Sequence, residues 1–304
     1  MKYRTTGVDG VVNIYKEKGY TSHDVVAIVR KLTGCKTGHT GTLDPDAEGV
    51  LPVCLGKATR ISDYIAAETK EYTAVIAFGT ETDTQDASGV AVYERALDCS
   101  EDALRAAMLS FIGDYEQLPP MYSALKVNGK KLYELAREGK EVERKARPVR
   151  ILDLQILEMD YPYSAVMHVV CSKGTYIRTL CTDIGRRAGA SAHMAALLRT
   201  RTGAFTLAES VTLDAFRQAL ENDGLLTVLK PMESALSGFR TARAVGADEK
   251  LLHNGGALPL AHTALPDDVQ DGERLLLSDG GGCLVGIYVV KTGEACLRPL
   301  VVLL

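Results

Sequence analysis

The chain has 304 residues, 46% apolar and 24% charged, with a formal net charge of −4, which is ordinary globular composition with enough length for a large domain plus a small one, or two domains. No apolar run approaches bilayer length and the opening MKYRTTGVDG has no apolar stretch, so neither a membrane span nor a signal peptide is expected. Seven cysteines without a C-x-x-C pair argue against a zinc ribbon or a disulfide framework and for a reducing, cytoplasmic setting.

In chain order, Val11 to Tyr15 is apolar and β-prone, a predicted strand. Thr21 or Ser22 can cap a helix with Val25, Ile28, Val29 and Leu32 at helical spacing, stopped by Gly34. Gly38 to Pro52 (GHTGTLDPDAEGVLP) is rich in glycine and proline, lacks steady periodicity and reads as a long ordered loop, a feature that is usually functional. Glu71 to Phe78 alternates like a strand. Ser100 caps a helix with Leu104, Ala107, Met108 and Phe111 on one face.

Residues 118–150 carry nine Lys/Arg against four Glu, a local charge of +5 that leaves −9 for the rest. Such a segment can focus an anion-binding surface, or be a solvated helix whose charges pair locally. Two β-rich stretches follow, Val149–Met159 and Ser164–Cys171. Ser172 to Thr175 then turns into a helix with Ile177, Leu180, Cys181 and Ile184 in register. Strands and helices out of strict alternation predict an α+β domain with a mixed, largely antiparallel sheet flanked by helices. Beyond about residue 230, short apolar runs separated by glycine turns predict a small β domain.

The loop aspartate at position 44 admits several readings. A P-loop fails because Gly56-Lys57 is followed by Ala58, with Leu51 five positions before Gly56. An aspartyl-phosphate motif fails because no aspartate precedes Thr40-Gly-Thr42 where its nucleophile belongs. Asp44, Asp46 and Glu48 alternate, but Pro45 and the apolar Val50-Leu51 suit a calcium loop poorly. Without further context, a turn-capping role is the commoner one for a lone loop aspartate.

Gly38 to Pro52, followed by Gly56-Lys-Ala-Thr59, resembles the catalytic motif of the TruB family of tRNA pseudouridine synthases. Further blocks follow in family order: Lys70-Glu-Tyr72, Thr82 to Gly89, Gln117 to Tyr133, Cys171 to Leu180, and Ala192 to Leu197 with Arg199-Thr-Arg201-Thr-Gly203. Together they span roughly residues 10–205. The tail beyond about 233 is similar to the PUA-type RNA-binding domain of bacterial members. One departure is Leu198, where the family often has an arginine; this weakens a backbone contact otherwise assigned there.

The resemblance implies a pseudouridine-synthase catalytic domain over 1–232, with an RNA-clasping insertion over about 119–147, and a PUA-like domain over 233–304. It implies isomerisation of uridine 55 in the T loop of tRNA, without cofactor, metal or obligatory protein partner, by a cytoplasmic monomer. Asp44 is then the nucleophile, Arg178 its salt-bridging partner and Tyr72 the residue stacked on the base. Leu197 forms the apolar floor, Tyr176 lies beside the substrate, and His39 fills the space left by the everted nucleotide. Lys126, Lys130 and Lys131 contact phosphates, together with Arg137, Arg144, Lys145 and Arg147. Taken without the motif, Arg178 is a surface charge on an amphipathic helix, Tyr72 a strand tyrosine, Leu197 helix core and His39 a loop histidine. Two other functions stand beside this one: a guide-RNA-dependent synthase subunit, and a non-catalytic tRNA-binding or tRNA-folding protein. An unrelated hydrolase would instead release base or phosphate.

Overall fold

The computed structural model describes residues 7–127, 129–222, 224–246, 251–252 and 254–304. Residues 1–6, part of the stretch read for a signal peptide, lie outside them.

The first strand, β1 (Gly10–Lys16), leads into helix α1 (Ser22–Thr33). Thr21 closes a capping box with Asp24, and Gly34 ends α1 at φ 73°, as the start and stop residues dictate. Two strands follow, β2 (Thr37–His39) and β3 (Glu48–Leu55), so the expected long loop is shorter than its composition suggests. Pro52 is accommodated opposite Asn13, and Gly49 carries φ +103° with the Arg199 carbonyl where a Cβ would sit. Glycine and proline here serve close strand approach, which composition alone reads as loop.

The short helix α2 (Ser62–Ala66) precedes β4 (Lys70–Thr82), which buries Lys70, Tyr72, Ala74 and Ile76 in alternation. An exposed strand, β5 (Ala91–Arg95), pairs back on β4. Helix α3 (Glu101–Leu109), capped by Ser100, precedes β6 (Gly113–Gln117). The basic segment forms a hairpin, β7 (Lys126–Val127) with β8 (Lys130–Lys131), and the short helix α4 (Leu132–Arg137). Then come β9 (Arg147–Asp160), β10 (Ser164–Cys171), α5 (Ile177–Arg187) and β11 (Ala192–Thr202), with α6 (Leu213–Glu221) beyond them.

The main sheet runs in the order β1, β3, β11, β4, β10, β9, β6, with Leu229–Lys230 outside β1. Its pairs are antiparallel except β3 with β11. One face of β4, β10, β9 and β11 packs on α3 and α5, and β1 and β3 pack on α1 and α6. This is the α+β arrangement the sequence predicts. A second, six-stranded sheet lies between Arg240 and Val302. It joins the first through a shared core in which Leu276, Ile287 and Leu303 meet Val50, Ile61 and Ile65.

Candidate active site

The loop between β2 and β3 presents Asp44, held by its neighbours on both sides. The amide of Leu43 donates to Ser22 Oγ at 2.8 Å, and that hydroxyl donates to the Leu43 carbonyl at 3.1 Å. The Pro45 carbonyl accepts from Lys16 Nζ at 3.0 Å and from the Gly19 amide at 2.9 Å. Lys16 is fully buried and also donates to the carbonyls of Tyr20 and Glu17; burial pushes its ammonium down to about 8.

Arg178 is the second residue of α5. The start of that helix is fixed by Gln117, which exchanges two hydrogen bonds with the Tyr176 backbone, at 2.8 and 3.0 Å. Arg178 Nε lies 2.9 Å from Asp44 Oδ2 and Nη2 donates to Oδ1 at 3.2 Å, a bidentate pair. The same guanidinium donates to the carbonyls of Thr84 and Tyr122 and lies 3.5 Å from Asp86 Oδ2. Far from a surface charge, its side chain is 5% exposed, whereas Asp44 keeps 36% of its side-chain surface open. Desolvation nevertheless raises the Asp44 carboxyl above the ordinary range, opposed by Arg178 and Lys16 and reinforced by Asp86 and Asp46.

Tyr72 and Leu197 belong to the buried cluster that contains Leu43 and Ala47, the apolar residues on either side of Asp44. Leu197 stands on strand β11, not in a helix core, opposite Ala74 and two pairs along from Tyr72 and Arg199. Burial pushes the Tyr72 phenol up to about 12, so it stays protonated. Tyr176 is half-buried close enough to Asp44 and Arg178 to feel both charges. His39, in β2, accepts from the Gly41 amide on Nδ1 at 3.3 Å and meets the His23 ring edge-on, with centroids 5.5 Å apart. Burial, with His23 and Arg199 adding to it, takes His39 down to about 4 and keeps it neutral.

Residues 29–177 match the pattern described as TruB family pseudouridylate synthase (N terminal domain), and residues 178–237 match the tRNA pseudouridylate synthase B C-terminal domain. The chain belongs to the TruB family. The tRNA pseudouridine synthase B of Staphylococcus aureus strain MSSA476 is 46% identical over 301 residues, covering 96% of this chain and 98% of that protein. The protein of the same name from Alkaliphilus oremlandii is 47% identical over 252 residues, 83% of each chain. Among solved structures, an H/ACA RNP bound to a substrate RNA containing 2′-deoxyuridine has a chain with TM-score 0.74 and 25% identity. That likeness covers 97% of this chain and 85% of that one. The chain is thus a pseudouridylate synthase, an isomerase.

Within this TruB-family site, Asp44, Arg178, Tyr72, Leu197 and Tyr176 converge, His39 stands at the base of the Asp44 loop against Gly41 and His23, and Lys126, Lys130 and Lys131 lie apart. These lysines lie on the β7–β8 hairpin, where Lys130 pairs with Glu138 at 3.4 Å and Lys131 donates to the Tyr133 hydroxyl. The hairpin is tied to the site at its root, through the Tyr122 carbonyl that receives Arg178. Three contributors went unassigned in the sequence: Lys16, Asp86 and Arg199. Asp86 lies in the quoted Thr82–Gly89 block, where Thr84 Oγ1 and the Ser88 amide donate to its Oδ1 and aim Oδ2 at Arg178. A lone acidic residue in a polar turn gives no local sign of such a role.

Proposed function

We propose that this chain converts uridine 55 in the T loop of tRNA to pseudouridine, acting alone, with Asp44 as the nucleophile. The observation that carries the reading is the bidentate Asp44–Arg178 pair beside Tyr72 and Leu197. Pseudouridine formation breaks the N1–C1′ bond and makes a C5–C1′ bond without redox change, so a carboxylate and a proton carrier are sufficient. Arg178 orients the carboxylate, and Asp44 keeps about a third of its side-chain surface open, where C1′ or C6 of an everted uridine can meet it. Unstacking costs a few kcal/mol. His39, neutral and half-buried, supplies shape at the place the base vacates, and the basic residues of the insertion supply phosphate contacts that carry little sequence information.

In this reading residues 1–232 carry the chemistry, with the 119–147 insertion clasping RNA, and 233–304 act as a PUA-like RNA-binding domain. We read the protein as a cytoplasmic monomer that needs no partner. Relatives named tRNA pseudouridine synthase B, 41–47% identical over most of the chain, support the tRNA-modifying part of this reading. The structural likeness to an archaeal box H/ACA sRNP Nop10-Cbf5 complex, TM-score 0.73 at 26% identity, favours the guide-dependent reading only at a distance.

The deciding experiment incubates purified protein alone with an unmodified T-arm minihelix and maps the product with carbodiimide. Pseudouridine at position 55, lost with Asp44→Asn while RNA binding persists, is the expected result. Product only with added partners, or product from Asp44→Asn, overturns the reading.

A further inference from the structure

Arg199 is the bulkiest fully buried side chain among the described residues, 1% exposed. Among those residues it forms no ion pair with a carboxylate. Its guanidinium is met by neutral acceptors instead. Nε donates to the Val50 carbonyl at 2.7 Å and Nη2 to the Gly41 carbonyl at 3.1 Å, the two ends of the segment that carries Asp44. The Tyr72 phenol lies close enough to feel the Arg199 charge. Arg199 and Tyr72 stand directly opposite each other in the β11–β4 ladder, so their side chains leave the sheet on one face.

A buried guanidinium without an anion is a costly choice where methionine or leucine would fill the space. Arg178, the other arginine of the site, is neutralised by Asp44 and Asp86. The charge of Arg199 is not, and across the ladder it stands opposite the phenol of Tyr72. An arginine only donates, so toward Arg199 the Tyr72 oxygen can act only as an acceptor. That role leaves the hydroxyl hydrogen free to be passed on.

We infer that Arg199 is a positioning residue that acts on the isomerisation through Tyr72, orienting the phenol as a two-way proton carrier. The inference rests on the reading that Tyr72 faces an everted uridine. Once the C5–C1′ bond has formed, the phenol oxygen takes the proton from C5 as its own hydrogen passes to N1. The C5–H electron pair restores the C5=C6 double bond, the N1=C6 pair moves onto N1, and the phenol is regenerated. No oxidant, reductant or cofactor is consumed.

The test measures single-turnover tritium release from T-arm RNA labelled at uridine C5, alongside the RNA dissociation constant. It compares wild type, Arg199→Gln, Arg199→Lys, Tyr72→Phe and the Tyr72→Phe/Arg199→Gln double variant. Arg199→Gln is expected to slow release about 100-fold with the dissociation constant within about threefold of wild type. Arg199→Lys recovers about tenfold or more of that loss. In the Tyr72→Phe background, Arg199→Gln adds less than about threefold, because the group it serves is already gone. Equal slowing in both backgrounds overturns the inference and leaves Arg199 as a strut for the Asp44 loop. If Arg199→Gln does not fold or Tyr72→Phe is too slow to follow, Arg199→Lys decides: near-wild-type binding with partial rate supports the inference, and loss of RNA binding overturns it. Absence of tritium release from wild type would instead defeat the pseudouridine reading itself.

Discussion

Both carboxylate oxygens of Asp44 are engaged by one guanidinium, Arg178 Nε at 2.9 Å and Nη2 at 3.2 Å, but the two partners depend on that contact unequally. Remove the Asp44 charge and Arg178 still has Asp86 and the carbonyls of Thr84 and Tyr122. Remove Arg178 and two carboxylates face each other with no cation between them. Breaking a buried pair from one side costs about 3–5 kcal/mol, and the partial exposure of Asp44 places Arg178→Ala toward the lower end. Thermal unfolding at pH 7 should therefore show a clear loss for Arg178→Ala and little or none for Asp44→Asn, although both abolish product. An equal loss of stability in the two variants contradicts this asymmetry.

The raised Asp44 carboxyl has a kinetic consequence. The nucleophile must be ionised, so the acid limb of kcat/KM should lie above the range of an ordinary aspartate. Asp86 contributes to that elevation. Asp86→Asn should move the limb to lower pH while slowing the plateau, since Arg178 loses one of its anchors. For stability the sign is opposite to that of a stabilising carboxylate. A carboxyl raised in the folded state favours folding when protonated, and that contribution fades as pH rises through its folded value. A pH–rate profile of the two proteins checks the first point, and a limb that stays in place or rises in Asp86→Asn refutes it.

How far the sequence carries is clear from particular residues. Helix α1 was legible from Thr21, the helical spacing of valines and Gly34, because each of those signals is local. Strand β4 was legible from alternation, and Asp44, Tyr72 and Arg178 from the resemblance. Strand β3 was hidden by its own Gly49 and Pro52, which fit the approach of β11 and β1 and say nothing of strand until those neighbours are known. Arg199 and Asp86 were hidden for the same reason. Their partners lie 127 and 92 residues away, at Tyr72 and Arg178, and only the folded chain brings them together.

Burial lowers His39 to about 4, and a histidine held neutral in the fold stabilises it above its ordinary value. That contribution is lost as pH falls from about 6.5 toward 4. Acid titration of the unfolding midpoint should show this loss in wild type and a flatter response in His39→Asn. At pH 7 and above, the variant should bind RNA with reduced affinity that does not vary with pH, because no charge change is involved. An RNA affinity of wild type that climbs as pH falls from 8 to 6, and does so only with His39 present, would show a charged ring instead.

The hairpin lysines make a different kind of prediction, because they touch nothing in the catalytic set. Lys130 is held by Glu138 at 3.4 Å with both side chains exposed, and exposed pairs of this kind are weak enough for phosphate to displace. Lys126 is exposed on the facing strand. Each phosphate contact contributes about 0.7–0.9 to the slope of log affinity against log salt. A Lys126→Ala/Lys130→Ala variant should therefore bind T-arm RNA more weakly at low salt, with a slope shallower by about 1.5, and approach wild type as salt rises. Its single-turnover rate at saturating RNA should match wild type, since Arg178, Tyr72 and Asp44 are undisturbed. A normal slope with a reduced saturated rate would mean that the hairpin shapes the active site through Tyr122 instead of gripping the backbone of the RNA.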